Sequence, residues 1–279
     1  MGITQTFGCR AQWDEHGFVS VPGLVDSDQV SALRQVCDAI LRKHLANNPE
    51  TNEPGDPDGR AMRHLNHPAY HEGDPDGLRL LLDTIADERI LDLVNVILGE
   101  RALFRCTTYW YNPVSAGKDG HWHRDIQFVY PDEADQRRII SEATPQESVQ
   151  IMLALIETED NEFVPGTHLR WDSEEEYRIR LGDDQANNRS DRMPGAVRFH
   201  QEPGDVIAFH PYGLHRGRYH VDKARRTLML SYSTESAATE DYFTDQPWFL
   251  MPGYLNALEP DKQAFYRRFV DRYSSFWRR

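Results

Sequence analysis

Three side chains carry the plainest chemistry in this sequence: His123, Asp125 and, ninety positions on, His215. Two imidazoles and one carboxylate can take one face of an octahedral metal and leave the opposite face open. That is the donor set of non-haem Fe(II) sites, where O2 and a second ligand share the open positions. The spacing has a physical reason. Residues two apart on a strand point to the same side, so His123 and Asp125 face one centre and Arg124 points away. A third donor then has to come from another strand. Gly204-Asp205-Val206-Ile207-Ala208-Phe209 reads as a strand opened by a Gly-Asp turn, and His215 follows it beyond the turn Pro211-Tyr212-Gly213. Arg226 opens a further strand, Thr227 to Tyr232, and its planar fork suits a carboxylate held at two points. Neighbouring residues compete for these places. His121 stands near His123 but lacks the two-residue pairing with Asp125. His210 and His220 compete with His215. Arg225 competes with Arg226, and alternation puts the two on opposite faces without saying which face lines a pocket.

Elements that could hold these side chains are legible around them. Gly17 to Val21 reads as a short strand, turned by Pro22-Gly23. Asp26, Ser27 and Asp28 offer caps for a helix with Val30, Leu33, Val36, Cys37, Ile40 and Leu41 on one stripe. Asn47 to Gly59 is rich in Pro, Gly, Asp and Asn and reads as a loop. Leu78 to Thr84 and Glu88 to Leu98 follow a helical period, with Gly99 as a stop. Strand patterns then take over at Leu103–Tyr111, Val149–Ile156, Val206–Phe209 and Thr227–Tyr232, interrupted by polar stretches at 132–147 and 172–194. Pro260 opens a last helix carrying Phe265, Phe269, Tyr273 and Phe276 at helical spacing.

Composition bounds the function class. A chain of 279 residues can bury one substantial core. A net charge of −14 argues against general nucleic-acid binding, which rests on phosphate neutralisation. No stretch is apolar for long enough to span a bilayer. The first ten residues lack a basic region followed by an apolar run, so no signal peptide is expected. Cys9, Cys37 and Cys106 are odd in number and widely spaced, and read as reduced thiols of a cytoplasmic protein.

Together the motifs resemble the phytanoyl-CoA dioxygenase family of iron- and 2-oxoglutarate-dependent oxygenases. Trp13-Asp14-Glu15-His16-Gly17-Phe18-Val19-Ser20-Val21-Pro22-Gly23-Leu24 is similar to the family's N-terminal signature, and His121-Trp122-His123-Arg124-Asp125 to its metal motif. Asp160-Asn161-Glu162-Phe163-Val164-Pro165-Gly166-Thr167-His168 is similar to a Pro-Gly-Ser-His segment. Gly204-Asp205, Phe209, His215 and an arginine eleven positions after it follow the C-terminal pattern. The resemblance implies a double-stranded β-helix, a jelly roll with flanking helices. It implies Fe(II) on His123, Asp125 and His215, and 2-oxoglutarate with its distal carboxylate on Arg226. It also implies O2 as oxidant and hydroxylation of a small molecule with release of succinate and CO2. The whole chain, 1–279, would be one such domain: a helix-rich N-terminal region over 1–100, a jelly-roll core over 101–235 and a helical tail over 236–279. One departure is visible, because many members carry Ser two residues after the distal His and this chain has Gly217. Asp125 disfavours halogenation, whereas desaturation, cyclisation and epimerisation use the same ligands.

The substrate is less legible. Tyr109 and Tyr111, with Trp110 between them, are candidates for core and pocket wall. Arg60, Arg63, His64 and His67 cluster after the first loop, and Arg124, Arg216 and Arg218 flank the metal motifs. Against an acidic background they could draw in an anionic small molecule, or serve only in ion pairs. A monomer or homodimer is expected, with the last helix as a possible dimer face. Two other classes use the same residues: a non-catalytic jelly-roll binder that retains a metal, and a zinc hydrolase. Neither has a use for an arginine beside the triad.

Overall fold

Apolar residues recur at helical spacing early in the chain and alternate later, and the fold follows that division. The computed structural model describes residues 3–47, 61–112, 119–142, 147–220 and 222–277. Most of the expected 47–59 loop, and Arg60, lie outside the described residues. Helix α1 (Ile3–His16) ends at Gly17, whose φ of +78° turns the chain into strand β1 (Phe18–Val21). A β-carbon at Gly17 would also lie 2.5 Å from His168 Nδ1, so conformation and space both require glycine there. Helix α2 (Ser27–Asn47) buries Val30, Leu33, Cys37, Ile40 and Leu41, the expected stripe apart from the half-buried Val36. Strand β2 (Ala61–Arg63) precedes helices α3 (Pro75–Ile85) and α4 (Glu88–Leu98), which Asp74 and Asp87 cap. Gly99 ends α4 in the left-handed conformation, as its position suggests.

The remaining chain builds the sheets. Strand β3 (Leu103–Tyr111) is followed by the short helix α5 (Ile126–Val129), helix α6 (Glu133–Glu142) and strands β4 (Ser148–Ala154) and β5 (Thr158–Phe163). Helix α7 (Glu174–Arg180) precedes strands β6 (Val197–Gln201), β7 (Val206–Phe209), β8 (His215–Gly217) and β9 (Arg226–Ser233), and helix α8 (Pro260–Trp277) comes last. Six strands form one antiparallel sheet in the order β1-β7-β4-β9-β3-β2, and three form a second in the order β6-β5-β8. The large sheet thus takes β1 and β2 from before residue 101, so the helix-rich N-terminal region is woven into the jelly roll instead of standing beside it.

Alternation sorts the large sheet into two faces. Val19, Val149, Ile151, Leu153, Val206, Ala208, Leu228, Leu230 and Tyr232 join one core with residues of α2, α3, α4 and α8. Phe18, Met152, Ile207, Phe209 and Met229 point the other way and meet Phe163 of the small sheet. Those two sheets, closed over a shared interior, are the jelly roll that the sequence motifs imply. Phe265, Phe269 and Tyr273 of the α8 stripe belong to the first core, whereas Phe276 is only half-buried: Phe269 lies 5.2 Å from Phe104 and 5.0 Å from Phe249, ring to ring. Full burial of each such ring stabilises the fold by roughly 1.5–3 kcal/mol.

Candidate metal centre

At one end of the interior, residues 120–125 run antiparallel to residues 211–217. Gly120 N–H donates to the Gly217 carbonyl, and Asp125 N–H to that of Pro211. Between them His123 and His215 exchange both backbone hydrogen bonds, at 3.0 and 3.1 Å. Directly opposed residues share a face, and the two imidazole centroids are 4.3 Å apart. Each Nε2 lies 3.5 Å from Asp125 Oδ1. All three ligating atoms fall within 4.8 Å of one another. Adjacent ligands about 2.1 Å from one metal stand about 3 Å apart, so a small contraction would close the set around an ion.

The surroundings fix how each donor is presented. Nδ1 of His123 is 2.7 Å from the His121 carbonyl, and Nδ1 of His215 is 2.9 Å from that of Gly213. A carbonyl can only accept, so each Nδ1 carries the proton and each Nε2 turns a lone pair to the shared centre. Burial, and then the adjacent His215, lower the pKa of His123 and favour the neutral ring a metal needs. Gln150 of β4 donates from Nε2 to Asp125 Oδ2 at 2.6 Å, leaving Oδ1 for the centre. Nothing in the sequence motifs singles out Gln150. Arg124 points away, as alternation requires, and is fully buried. It holds Asp172 at 2.8 and 3.0 Å and also bonds the carbonyls of Thr167, Arg170 and Tyr212. Arg180 bonds the same Asp172 at 2.7 Å. Removing one partner from so buried a pair typically costs about 3–5 kcal/mol, so Arg124 anchors the ligand segment.

Arg225 and Arg226, where the chain enters β9, separate as alternation demands, and Arg226, the expected co-substrate contact, takes the helix-covered face. Arg226 lies opposite Tyr111, two residues before the core residue Leu228. Its Nε donates to Asp38 of α2 at 2.6 Å, on the helix-covered face. Arg225 takes the inner face. It is 1% exposed, and its guanidinium lies over the rings of Tyr219 (4.9 Å) and Trp110 (5.7 Å). One nitrogen, Nη2, donates to Asn161 Oδ1 at 3.0 Å. Among the described residues Nε and Nη1 have no hydrogen-bond partner, and the ion pair from Nε to Asp160 is long, at 3.9 Å. A buried cation with open donors can receive an anion. Arg225 also lies near the triad. A β-carbon on Gly217 would come within 2.8 Å of its Nη1, and Gly217 is two residues along β8 from His215, about 7 Å.

The same shift of parity applies to the aromatic candidates. Tyr109 and Tyr111 join the helix-covered core, where the Tyr109 hydroxyl donates to Asp38 at 3.3 Å. That face is opposite the one carrying Phe209, which packs beside His215. Trp110 is the residue of that run on the inner face. Arg63 lies opposite Thr108, which lies opposite Met229, so it too is on the inner face, with its guanidinium 5.3 Å from the Phe243 ring. His64 has a φ of +55° and packs against Tyr242 and Trp248, and burial pulls its pKa down to about 4. Arg216 is locked to Glu162 and Asp191, and Arg218 pairs with Asp119 at 2.9 Å. Beside the triad, α5 presents Phe128, 68% exposed and 5.5 Å from the His123 ring, then the exposed Val129 and Tyr130.

Residues 13–227 match the family described as Phytanoyl-CoA dioxygenase (PhyH). That is well over half of the chain, and the chain belongs to this family. It is a 2-oxoglutarate-dependent non-haem iron dioxygenase whose cofactors are Fe(II), 2-oxoglutarate and O2. Ectoine dioxygenase of Sphingopyxis alaskensis (strain DSM 13593 / LMG 18877 / RB2256) is 21% identical over 262 residues, 86% of this chain and 80% of its own. The crystal structure of EctD from S. alaskensis with 2-oxoglutarate and 5-hydroxyectoine has a TM-score of 0.58 and 21% identity, covering 90% of this chain and 83% of that one. AviO1 from Streptomyces viridochromogenes Tue57 has a TM-score of 0.62 and 15% identity, covering 86% of this chain and all of that one. The epimerase SnoN, in complex with Fe3+, alpha ketoglutarate and nogalamycin RO, has a TM-score of 0.58 and 18% identity, covering 93% of this chain and 94% of that one. Among the described residues no helix is long and apolar enough to cross a membrane.

Proposed function

We propose that this dioxygenase hydroxylates an unactivated C–H bond of a small molecule, with Fe(II) held by His123, Asp125 and His215. The observation that carries this reading is the convergence of two Nε2 atoms and one carboxylate oxygen on a common centre. We assign the distal carboxylate of 2-oxoglutarate to Arg225. The separation between His215 and Gly217 along β8 is one that a five-carbon dicarboxylate spans, chelating at one end and reaching the guanidinium at the other. When bound, iron with 2-oxoglutarate and O2 supplies the oxidising power, and 2-oxoglutarate leaves as succinate and CO2.

The chain's own role is to orient and to exclude. Gln150 holds Asp125 to one ligating oxygen. The carbonyls of His121 and Gly213 hold the two imidazole tautomers. Phe163 and Phe209 pack beside His215, with ring centroids 6.4 and 4.9 Å away, and keep water from that side. Phe128, Val129 and Tyr130 leave an apolar rim on the open side, which suits a substrate with apolar surface, and Arg63 on the inner face suits a negative group on it. Buried, unpaired Cys9, Cys37 and Cys106 support a reducing, cytoplasmic setting.

Anaerobic addition of Fe(II) and then 2-oxoglutarate to metal-free protein tests the reading. The weak visible charge-transfer band of the chelate should appear, and His215→Ala should abolish it. Iron bound with no band would sink the co-substrate assignment. Epimerisation, the reaction named for SnoN, desaturation and ring closure would need the same ligands; mass analysis of product separates a gained oxygen from these outcomes.

A further inference from the structure

Gly217 and Gly120 face each other where the ligand segment meets β8. Neither needs a left-handed backbone, so what they supply is space. A β-carbon on Gly120 would lie 2.7 Å from the Gly217 carbonyl oxygen and 3.3 Å from Tyr219 Cε2. One on Gly217 would lie 2.5 Å from the Tyr219 hydroxyl oxygen, 2.8 Å from Tyr219 Cζ and 2.8 Å from Arg225 Nη1. The phenol and the guanidinium therefore rest on one bare backbone carbon, two residues from His215. Tyr219 is 5% exposed, with its ring 6.3 Å from that of Trp110 and under the Arg225 guanidinium. Tyr219 and Arg225 thus bring a hydroxyl and a guanidinium, the latter with open donors, to the same place.

We propose that Tyr219 is a co-substrate contact: its hydroxyl and Arg225 Nη1 hold the distal carboxylate of 2-oxoglutarate together, and Gly217 is bare to admit them. The inference rests on the assignment of that carboxylate to Arg225 and adds a second donor to it. Geometry also explains the departure at this position. A serine side chain at 217 would put its hydroxyl in the space the tyrosine hydroxyl fills, so a donor arriving from Tyr219 and a bare residue 217 belong together. The pair would select 2-oxo acids that carry a second carboxylate.

The test compares 2-oxoglutarate with 2-oxobutanoate, which chelates alike but lacks the distal carboxylate. Each is titrated anaerobically into iron-loaded protein and followed by the charge-transfer band. A lost hydrogen bond to a charged group corresponds to about a ten- to hundredfold weaker binding. Tyr219→Phe should weaken 2-oxoglutarate by about that factor and leave 2-oxobutanoate unchanged. Gly217→Ala should weaken it further, because it displaces both donors. Gly217→Ser combined with Tyr219→Ala should bind 2-oxoglutarate better than Tyr219→Ala alone. If Tyr219→Phe binds as the parent does while Arg225→Gln does not, the tyrosine proposal is wrong and the arginine assignment stands. If both variants bind 2-oxoglutarate like the parent with iron in place, the arginine assignment itself is wrong. An equal loss for both 2-oxo acids would show a general disturbance and overturn the proposed contact.

Discussion

The two faces of the six-stranded sheet are made from alternate residues of the same strands, yet they treat similar side chains in opposite ways. On the helix-covered face Arg226 is about a quarter exposed and has a carboxylate at 2.6 Å, from Asp38. On the inner face Arg225, its neighbour in sequence, is buried and its best carboxylate stands at 3.9 Å. The outer face also takes up the Tyr109 hydroxyl, again on Asp38. Inward, Gln150 is committed to Asp125 and Trp110 stacks beside a cation. Polar groups that the chain itself answers, as Asp38 answers Arg226 and Tyr109, are finished when the protein folds. A surface that keeps donors open at the cost of desolvation is built for something that arrives later.

Exchanging the arginines is the strongest way to break that comparison. Arg225→Gln should weaken 2-oxoglutarate by a hundredfold or more, because a buried charged contact is typically worth about 3 kcal/mol. Arg226→Gln should leave binding unchanged and lower stability by no more than about 1 kcal/mol, since its ion pair is partly solvated. The charge-transfer titration reads the first effect and thermal unfolding the second. The reverse pattern would mean that the inner face is not the working one.

Why the sequence hides this parity follows from the same comparison. Alternation shows itself when one face is polar and one apolar, but here both are buried. Tyr109-Trp110-Tyr111 offers an aromatic residue to either side, and Arg225-Arg226 a cation to either side, so the residue types cannot set the phase. Val30 to Leu41 in α2 and Leu103 to Tyr111 in β3 are legible because length and period agree there. The pairing of His123 with Asp125, proposed as metal donors, is legible because the two-residue rule is local, and Gly99 because a left-handed cap favours one residue type. Helix α1 leaves no such signal, since among its described side chains only Cys9 and Trp13 are buried and no stripe forms. α7 carries a readable one in Ser173 and Glu176, a capping box that the polarity of the segment obscures. β8 is three residues long and Gln150 meets Asp125 from a separate strand, so neither leaves a local pattern.

Gln150 sharpens the comparison from within the inner face. Its 2.6 Å bond to Asp125 Oδ2 is the only restraint on that oxygen among the hydrogen bonds of the described residues. Supporting contacts of this kind are typically worth about ten- to a hundredfold in metal affinity or activity. Gln150→Leu keeps the volume and removes the donor. Iron affinity, read by competition with a chelator, should fall about tenfold, with 2-oxoglutarate affinity changed less. Unchanged iron affinity would show that His123 and His215 alone fix the carboxylate.

The smallest expected effect tests how far the inner face extends. Arg63 sits on the edge strand β2, three strands from Gln150, with Phe243 across its guanidinium. If that edge belongs to the working surface, Arg63→Ala should raise the substrate KM about fivefold with kcat little changed, the mark of a contact made equally in ground and transition states. Tyr111→Phe, on the other face of the adjacent strand β3, should leave KM alone. Equal kinetics for the two variants would confine the site to β4, β8, β9 and the ligand segment. The Arg63 guanidinium would then serve the packing around Phe243, and the apolar rim at Phe128, Val129 and Tyr130 would carry substrate choice by itself.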